Sequence, residues 1–169
     1  MARWHRLITA TPEDVWAVLG DGSLYAHWVV GTHDTWDRDG DWPAVGSELG
    51  YTVKLGTWTM KGRTISRLCE PGRRLELEAV NPLGSARIGI RTLPWGDRCL
   101  VLVDEHPLRG PAAPLHNAAL DALLRWRNRN MLARLDRAVR EAAERTGGSG
   151  QAATAGRAGR QGGTGDGHA

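Results

Sequence analysis

Few residues in this chain have types and positions suited to chemistry, and most of them fall in two stretches. The first is the run Val101-Leu102-Val103-Asp104-Glu105. If Val101 and Val103 point inward on a strand, Glu105 points inward as well, because side chains alternate across a strand. A carboxylate inside a cavity is an acid/base candidate, and the competing reading is an ion pair with Arg109 or Arg127. The second stretch lies between Leu115 and Arg145. At about 100° per residue, Asn117, Arg127 and Asn128 fall within a sector otherwise built from Leu124, Met131 and Leu135. Either Arg127 snorkels and Asn128 bonds to a strand end, or both reach into a cavity and orient a carbonyl or enolate. Glu105 and Arg127 are thus the candidate catalytic residues. Trp36, Tyr51 and Trp58 are candidate aromatic walls of a ligand site, with Val101, Val103, Leu124 and Met131 as its apolar lining.

Other chemistries find little support. The sequence has no G-x-S-x-G, no phosphate-binding Gly-rich loop, no H-E-x-x-H and no C-x-x-C. Asp37, Asp39, Asp41 and Glu48 imitate a calcium loop, but Trp42 stands where the sharp turn needs glycine, so no metal is expected. His33, His106 and His116 do not cluster and read as rim residues. No cofactor is expected.

The elements that must hold these residues follow from periodicity. Leu115–Arg145 repeats Leu120, Leu123, Leu124, Met131, Leu135, Ala138, Val139 and Ala142 on one side, with Arg125, Arg129, Asp136, Arg137 and Arg140 opposite. It predicts one long helix stopped by Gly147-Gly148. Upstream, Arg3–Thr9 reads as a strand. Thr11-Pro12-Glu13-Asp14 opens a helix, with Thr11 as N-cap. A second short helix follows over Leu24–Trp28. Six strands then succeed one another: Gly31–Arg38, Glu48–Lys54, Trp58–Cys69 with a bulge expected at Gly62, Arg74–Ala79, one carrying Ala86, Ile88 and Ile90, and Arg98–His106. The last is apolar on both faces, as in a strand covered on both sides. Consecutive strands joined by tight turns predict an α+β fold. A curved antiparallel sheet of six to seven strands would wrap the long helix, with two short helices between strands 1 and 2.

Composition sets the remaining bounds. The chain has 169 residues and net charge +3. Its charges are interspersed, which argues against nucleic acid as a partner. Cys69 and Cys99 read as small buried hydrophobes in a reducing compartment, and no leader or membrane-length apolar run is evident, so a cytoplasmic protein without membrane insertion is expected, as a monomer or homodimer. Residues 1–145 form the expected domain. Residues 146–169, rich in Gly, Ala and Arg, read as a disordered tail.

The opening ITATPEDVWAVLGDGSLYAHWV, the middle pieces GDWPAVGSEL, ISRLCEPGRRLEL and GSARIGIRTLP, and the closing HNAALDALLRWRNRNMLARL together resemble the SRPBCC superfamily. This is the helix-grip fold of START domains, Bet v 1-like proteins and bacterial aromatic polyketide cyclases, and the likeness is to the actinobacterial polyketide-cyclase/dehydrase-like subgroup. The resemblance runs from Arg3 to about Arg145. It implies binding of a small hydrophobic ligand, aromatic or lipid-like, between sheet and helix. Two alternatives stand beside it. One is a polyketide cyclase or dehydratase that folds a poly-β-keto chain in a shaped pocket while polar groups polarise its carbonyls. The other is a partner-regulating protein with a vestigial cavity.

Overall fold

A computed structural model describes residues 3–55, 57–109 and 118–158. The elements run β1 (Arg3–Ile8), α1 (Pro12–Leu19), a 3-10 turn (Gly22–Leu24), α2 (Tyr25–Trp28), β2 (Thr32–Asp39), β3 (Glu48–Leu55), β4 (Trp58–Glu70), β5 (Arg74–Asn81), β6 (Gly84–Trp95), β7 (Arg98–Arg109) and α3 (Ala118–Ala158). One antiparallel sheet holds all seven strands in the order β1-β7-β6-β5-β4-β3-β2. This is the α+β layout that the strand count and turn spacing predict, and the helix-grip fold that the resemblance implies. β1 and β2 stand at opposite edges, so the chain between them must cross the whole width of the sheet. α1 and α2 make that crossing. α1 starts where its cap chemistry says it should: the Asp14 amide donates to Thr11 Oγ1 (3.2 Å), and the Thr11 amide donates back to Asp14 Oδ2 (3.1 Å).

Alternation along the strands sorts the sheet into two faces. Ile8, Leu49, Tyr51, Leu75, Leu77, Ile88, Ile90, Val101 and Val103 all turn to one side and are buried. α3 covers that side with Asn128, Met131, Leu132, Leu135, Ala138 and Val139, the 3-and-4 spacing of one helical face. Each buried aliphatic side chain contributes about 1.5–3 kcal/mol of transfer free energy, before the entropy of ordering is set against it. α3 lies against α1, α2 and β1 and touches β7 more lightly. Among the described residues its backbone makes no comparable approach to β3, β4, β5 or β6. Side chains alone bridge the helix and the middle of the sheet.

Four expectations need correction. The bulge of β4 is not at Gly62, which pairs in register with Tyr51; the register shifts between Ser66 and Leu68. Ile65 therefore faces outward while Thr64 and Ser66 face in. Gly62 serves another purpose: a Cβ there would lie 2.5 Å from the Tyr51 ring, so only glycine lets that ring cross β4. Asp136 does not sit on the solvent side of α3 but is 3% exposed against β1. α3 does not stop at Gly147-Gly148 but continues to Ala158. Two glycines cost about 1 kcal/mol each relative to alanine, and Ala152, Ala153, Ala155 and Ala158 follow them. The outer face of β7 is only half covered, since its residues alternate between buried and half-buried.

Candidate functional site

The site grows from β7 and from one turn of α3. β7 carries Val101, Val103 and Glu105 inward in succession, at 0%, 1% and 7% exposure. α3 faces them with Arg127 and Asn128. Arg127 Nη1 donates to Glu105 Oε1, and Asn128 Nδ2 donates to Glu105 Oε2 at 3.1 Å. Of the two partners open to Glu105, the fold selects Arg127; a register shift between Ser85 and Ala86 turns Arg109 to the outer face, where it pairs with Ser85. Both oxygens of a buried carboxylate are thereby taken up, which is what makes its charge tolerable in that position. Glu105 consequently anchors a guanidinium and an amide. It does not stand alone as a base.

Two phenols share this interior. Tyr25, on α2, is 1% exposed and shares a 2.7 Å hydrogen bond with Thr64 Oγ1 on β4. Tyr51, on β3, is 4% exposed, and its hydroxyl lies 3.5 Å from the Val80 carbonyl. The ring centroids of Tyr25 and Tyr51 are 6.4 Å apart, with Trp28 edge-on to Tyr25 at 5.2 Å. Burial drives the Tyr25 phenol far above its ordinary value; the Thr64 hydrogen bond and the Arg127 charge pull the other way, and Tyr51 and Glu105 add to the rise. Burial raises Tyr51 too, against a hydrogen bond to Asn81 and the charge of Arg127. Both phenols are therefore protonated donors across the physiological range. The arrangement is an apolar interior with a guanidinium, a carboxamide and two hydroxyls, all suited to a carbonyl or carboxylate oxygen.

The structure sorts the remaining predicted residues plainly. Met131 is buried, at 2% exposure, on the face of α3 that carries Asn128. Trp58 is 76% exposed at the tip of the β3–β4 hairpin. Its strand parity matches that of Tyr51, but it lies beyond the covered part of the sheet. Trp36 lies on the outer face, across Gly50, where an added Cβ would meet the indole at 2.2 Å. Neither tryptophan walls the interior. Asn117 lies outside the described residues, as does the side chain of Leu124. Sequence reasoning missed Tyr25, Thr64 and Trp28. The available signal was the i, i+3 spacing of Tyr25 and Trp28, which puts both rings on one side of α2.

Comparison with known proteins bears on this geometry. The family model described as "Polyketide cyclase / dehydrase and lipid transport" matches residues 4–140. No curated protein matches the chain. Among solved structures, the chain is similar to Ara h 8.0201, with 9% identity and a TM-score of 0.67 over 83% of this chain and 97% of that one. It is also similar to the Zhui aromatase/cyclase from Streptomyces sp. R1128, with 18% identity and a TM-score of 0.59 over 86% and 94%. A protein from Arthrobacter aurescens shares 13% identity, with a TM-score of 0.65 over 82% and 85%. At these identities the likeness shows the fold.

Proposed function

Because the chain belongs to the polyketide cyclase/dehydrase and lipid transport family, we propose that it binds a small hydrophobic ligand, aromatic or lipid-like, between the inner face of the sheet and α3. The observation that carries this reading is the polar bridge of Glu105, Arg127 and Asn128 set among Tyr25, Tyr51 and apolar strand residues. Apolar walls supply affinity, and the few polar groups fix orientation. No described helix is long and apolar enough to cross a membrane. A cytoplasmic monomer or homodimer acting on a small molecule, without a nucleic-acid partner, is the form we propose. In that form residues 1–145 hold the site, and 146–169 are an appended segment outside it.

Paired probes test the reading. Naphthoic acid and naphthalene differ only by a carboxyl group. Arg127→Ala should weaken the acid roughly tenfold, as expected for a lost charged hydrogen bond, and leave naphthalene within twofold. Tyr51→Phe should weaken the acid by a smaller factor. Equal affinities for both probes in all three proteins would sink the polar half of the site. Failure of either probe to bind the unaltered protein would favour the vestigial-cavity reading.

The two phenols favour a second reading, catalysis of ring closure or dehydration. A protonated hydroxyl held in an apolar interior stabilises the oxyanion that develops as a ketone enolises. The Zhui protein is named an aromatase/cyclase, in keeping with this alternative. A poly-β-keto thioester analogue tests it. Accelerated ring closure that is lost in Tyr51→Phe supports catalysis; an unchanged product ratio leaves binding alone.

A further inference from the structure

A groove of ≈ 390 Å³ lies on the opposite side of the sheet from the site above. The register places it there. Ile65 pairs with Glu78, Arg63 with Val80, and Val80 with Ser85, which pairs in turn with Arg109. Arg63, Ile65, Glu78, Val80 and Ser85 alternate out of phase with the inward set Thr64, Ala79 and Ala86, and the register shift between Ser85 and Ala86 turns Arg109 to the same outer face. The floor is apolar, from Ile65 and Val80, and Ile65 is only 5% exposed although it faces outward.

The groove is cationic and incompletely satisfied. Arg63 donates to Glu48 at 3.0 Å, but Glu48 is shared with Arg38 at 3.5 Å. Arg67 is engaged by Glu78 at 2.7 Å. Arg109 has no ion pair among the described residues. The groove is thus lined by three guanidiniums, Arg63, Arg67 and Arg109, and one carboxylate, Glu78, with Glu48 reaching Arg63 from its edge. Beside Arg109, Ser85 is 8% exposed, and its Oγ is buried with no hydrogen-bond partner among the described residues. Buried polar groups are nearly always paired, so a hydroxyl in a groove wall and a neighbouring guanidinium that both lack partners among the described residues point to an oxygen ligand.

We propose that this outer groove is a second binding site, for a small organic oxyanion with a short apolar tail. The oxyanion sits between Arg109 and Ser85, and the tail lies over Ile65 and Val80. Carboxylates and phosphates share this chemistry, since a guanidinium fork accepts either. The groove and the interior meet at β5, where the Tyr51 hydroxyl reaches the Val80 carbonyl and Asn81, but Arg109 and Ser85 belong to the groove and not to the interior set.

Amide-resolved NMR titration of the full chain with hexyl phosphate, hexanoate and hexanol tests the proposal. The two anions, or one of them, should give saturable shifts at Ile65, Ser85 and Arg109, and hexanol should give none there. A response to hexyl phosphate alone identifies the head group as phosphate, and a response to hexanoate alone as carboxylate. Arg109→Gln should lower anion affinity tenfold or more, and Ser85→Ala a few-fold. Arg109 is exposed, so its variant should fold, and an unchanged melting temperature verifies that. Three results would overturn the proposal: no saturable shift with either anion, shifts confined to residues around Tyr25 and Tyr51, or equal affinity in Arg109→Gln.

Discussion

Among the described residues, two ion pairs fasten α3 to the sheet, and they are built in opposite senses. At one, the buried carboxylate belongs to the strand: Glu105, side chain 4% exposed, takes Arg127 and Asn128 from the helix. At the other, it belongs to the helix. Asp136, side chain 5% exposed, takes Arg6 of β1 at 2.8 Å and Arg140, one turn on, at 3.0 Å. About 13 Å of helix separates Arg127 from Asp136. Asp136 has two guanidiniums, and both reach water, at 41% and 60% side-chain exposure. Glu105 has one guanidinium, at 26%, and its neighbourhood holds two phenols. Redundant, hydrated partners suit a fastening. A lean, enclosed set suits a place where a ligand's own oxygen can compete for a donor.

Substitution should separate the two fastenings. Arg127→Met would leave the Glu105 charge enclosed with only an amide beside it. We expect a loss of about 3–5 kcal/mol in urea unfolding; a loss below about 1 kcal/mol would make the two ion pairs equivalent. Asp136→Ala removes an acceptor but leaves two arginines that water can solvate, so the loss should be smaller, about 1–3 kcal/mol.

The phenols give a third measurement. The chain contains two tyrosines, and burial raises both above the ordinary value of 10.0. Raised acids stay protonated in the folded chain while the unfolded chain releases their protons. Stability should hold below pH 10 and fall as pH climbs through the raised folded values. The slope should be up to about 1.4 kcal/mol per pH unit for each phenol. Tyrosinate absorbance near pH 10 without unfolding would contradict the enclosed site. The smallest effect belongs to Arg6→Met. Arg140 keeps its bond to Asp136, so the loss should stay under about 1 kcal/mol in the same urea assay.

The parts legible in the sequence were those where one period ran unbroken. Val101, Val103 and Glu105 alternate without interruption, and the α3 face repeats through Asn128, Met131 and Leu135, so the partnership of Glu105 and Arg127 could be anticipated. Where the period breaks, reasoning failed. β2 has two register shifts, one on each side of Trp36, and its phase could not be counted. In β4 the buried but outward Ile65 imitated a core residue and moved the expected bulge to Gly62. α2 is four residues long, so Tyr25 and Trp28 give a single i, i+3 pair and no repeat to confirm it. The burial of Asp136 depends on Arg6, 130 residues away, and no local pattern reports a partner at that distance.

The crossing of Tyr51 over Gly62 has a consequence for how such a chain changes over generations. Any residue larger than glycine at 62 collides with the ring, since even the first added carbon falls 2.5 Å from it. Position 62 is therefore closed while 51 holds an aromatic, and it opens once 51 becomes small. The order of permitted steps is fixed: the ring must be lost first. Related chains should carry the two positions as a linked pair, with a small residue at 62 wherever a ring stands at 51. A reshaped interior would be inherited as a change at both positions.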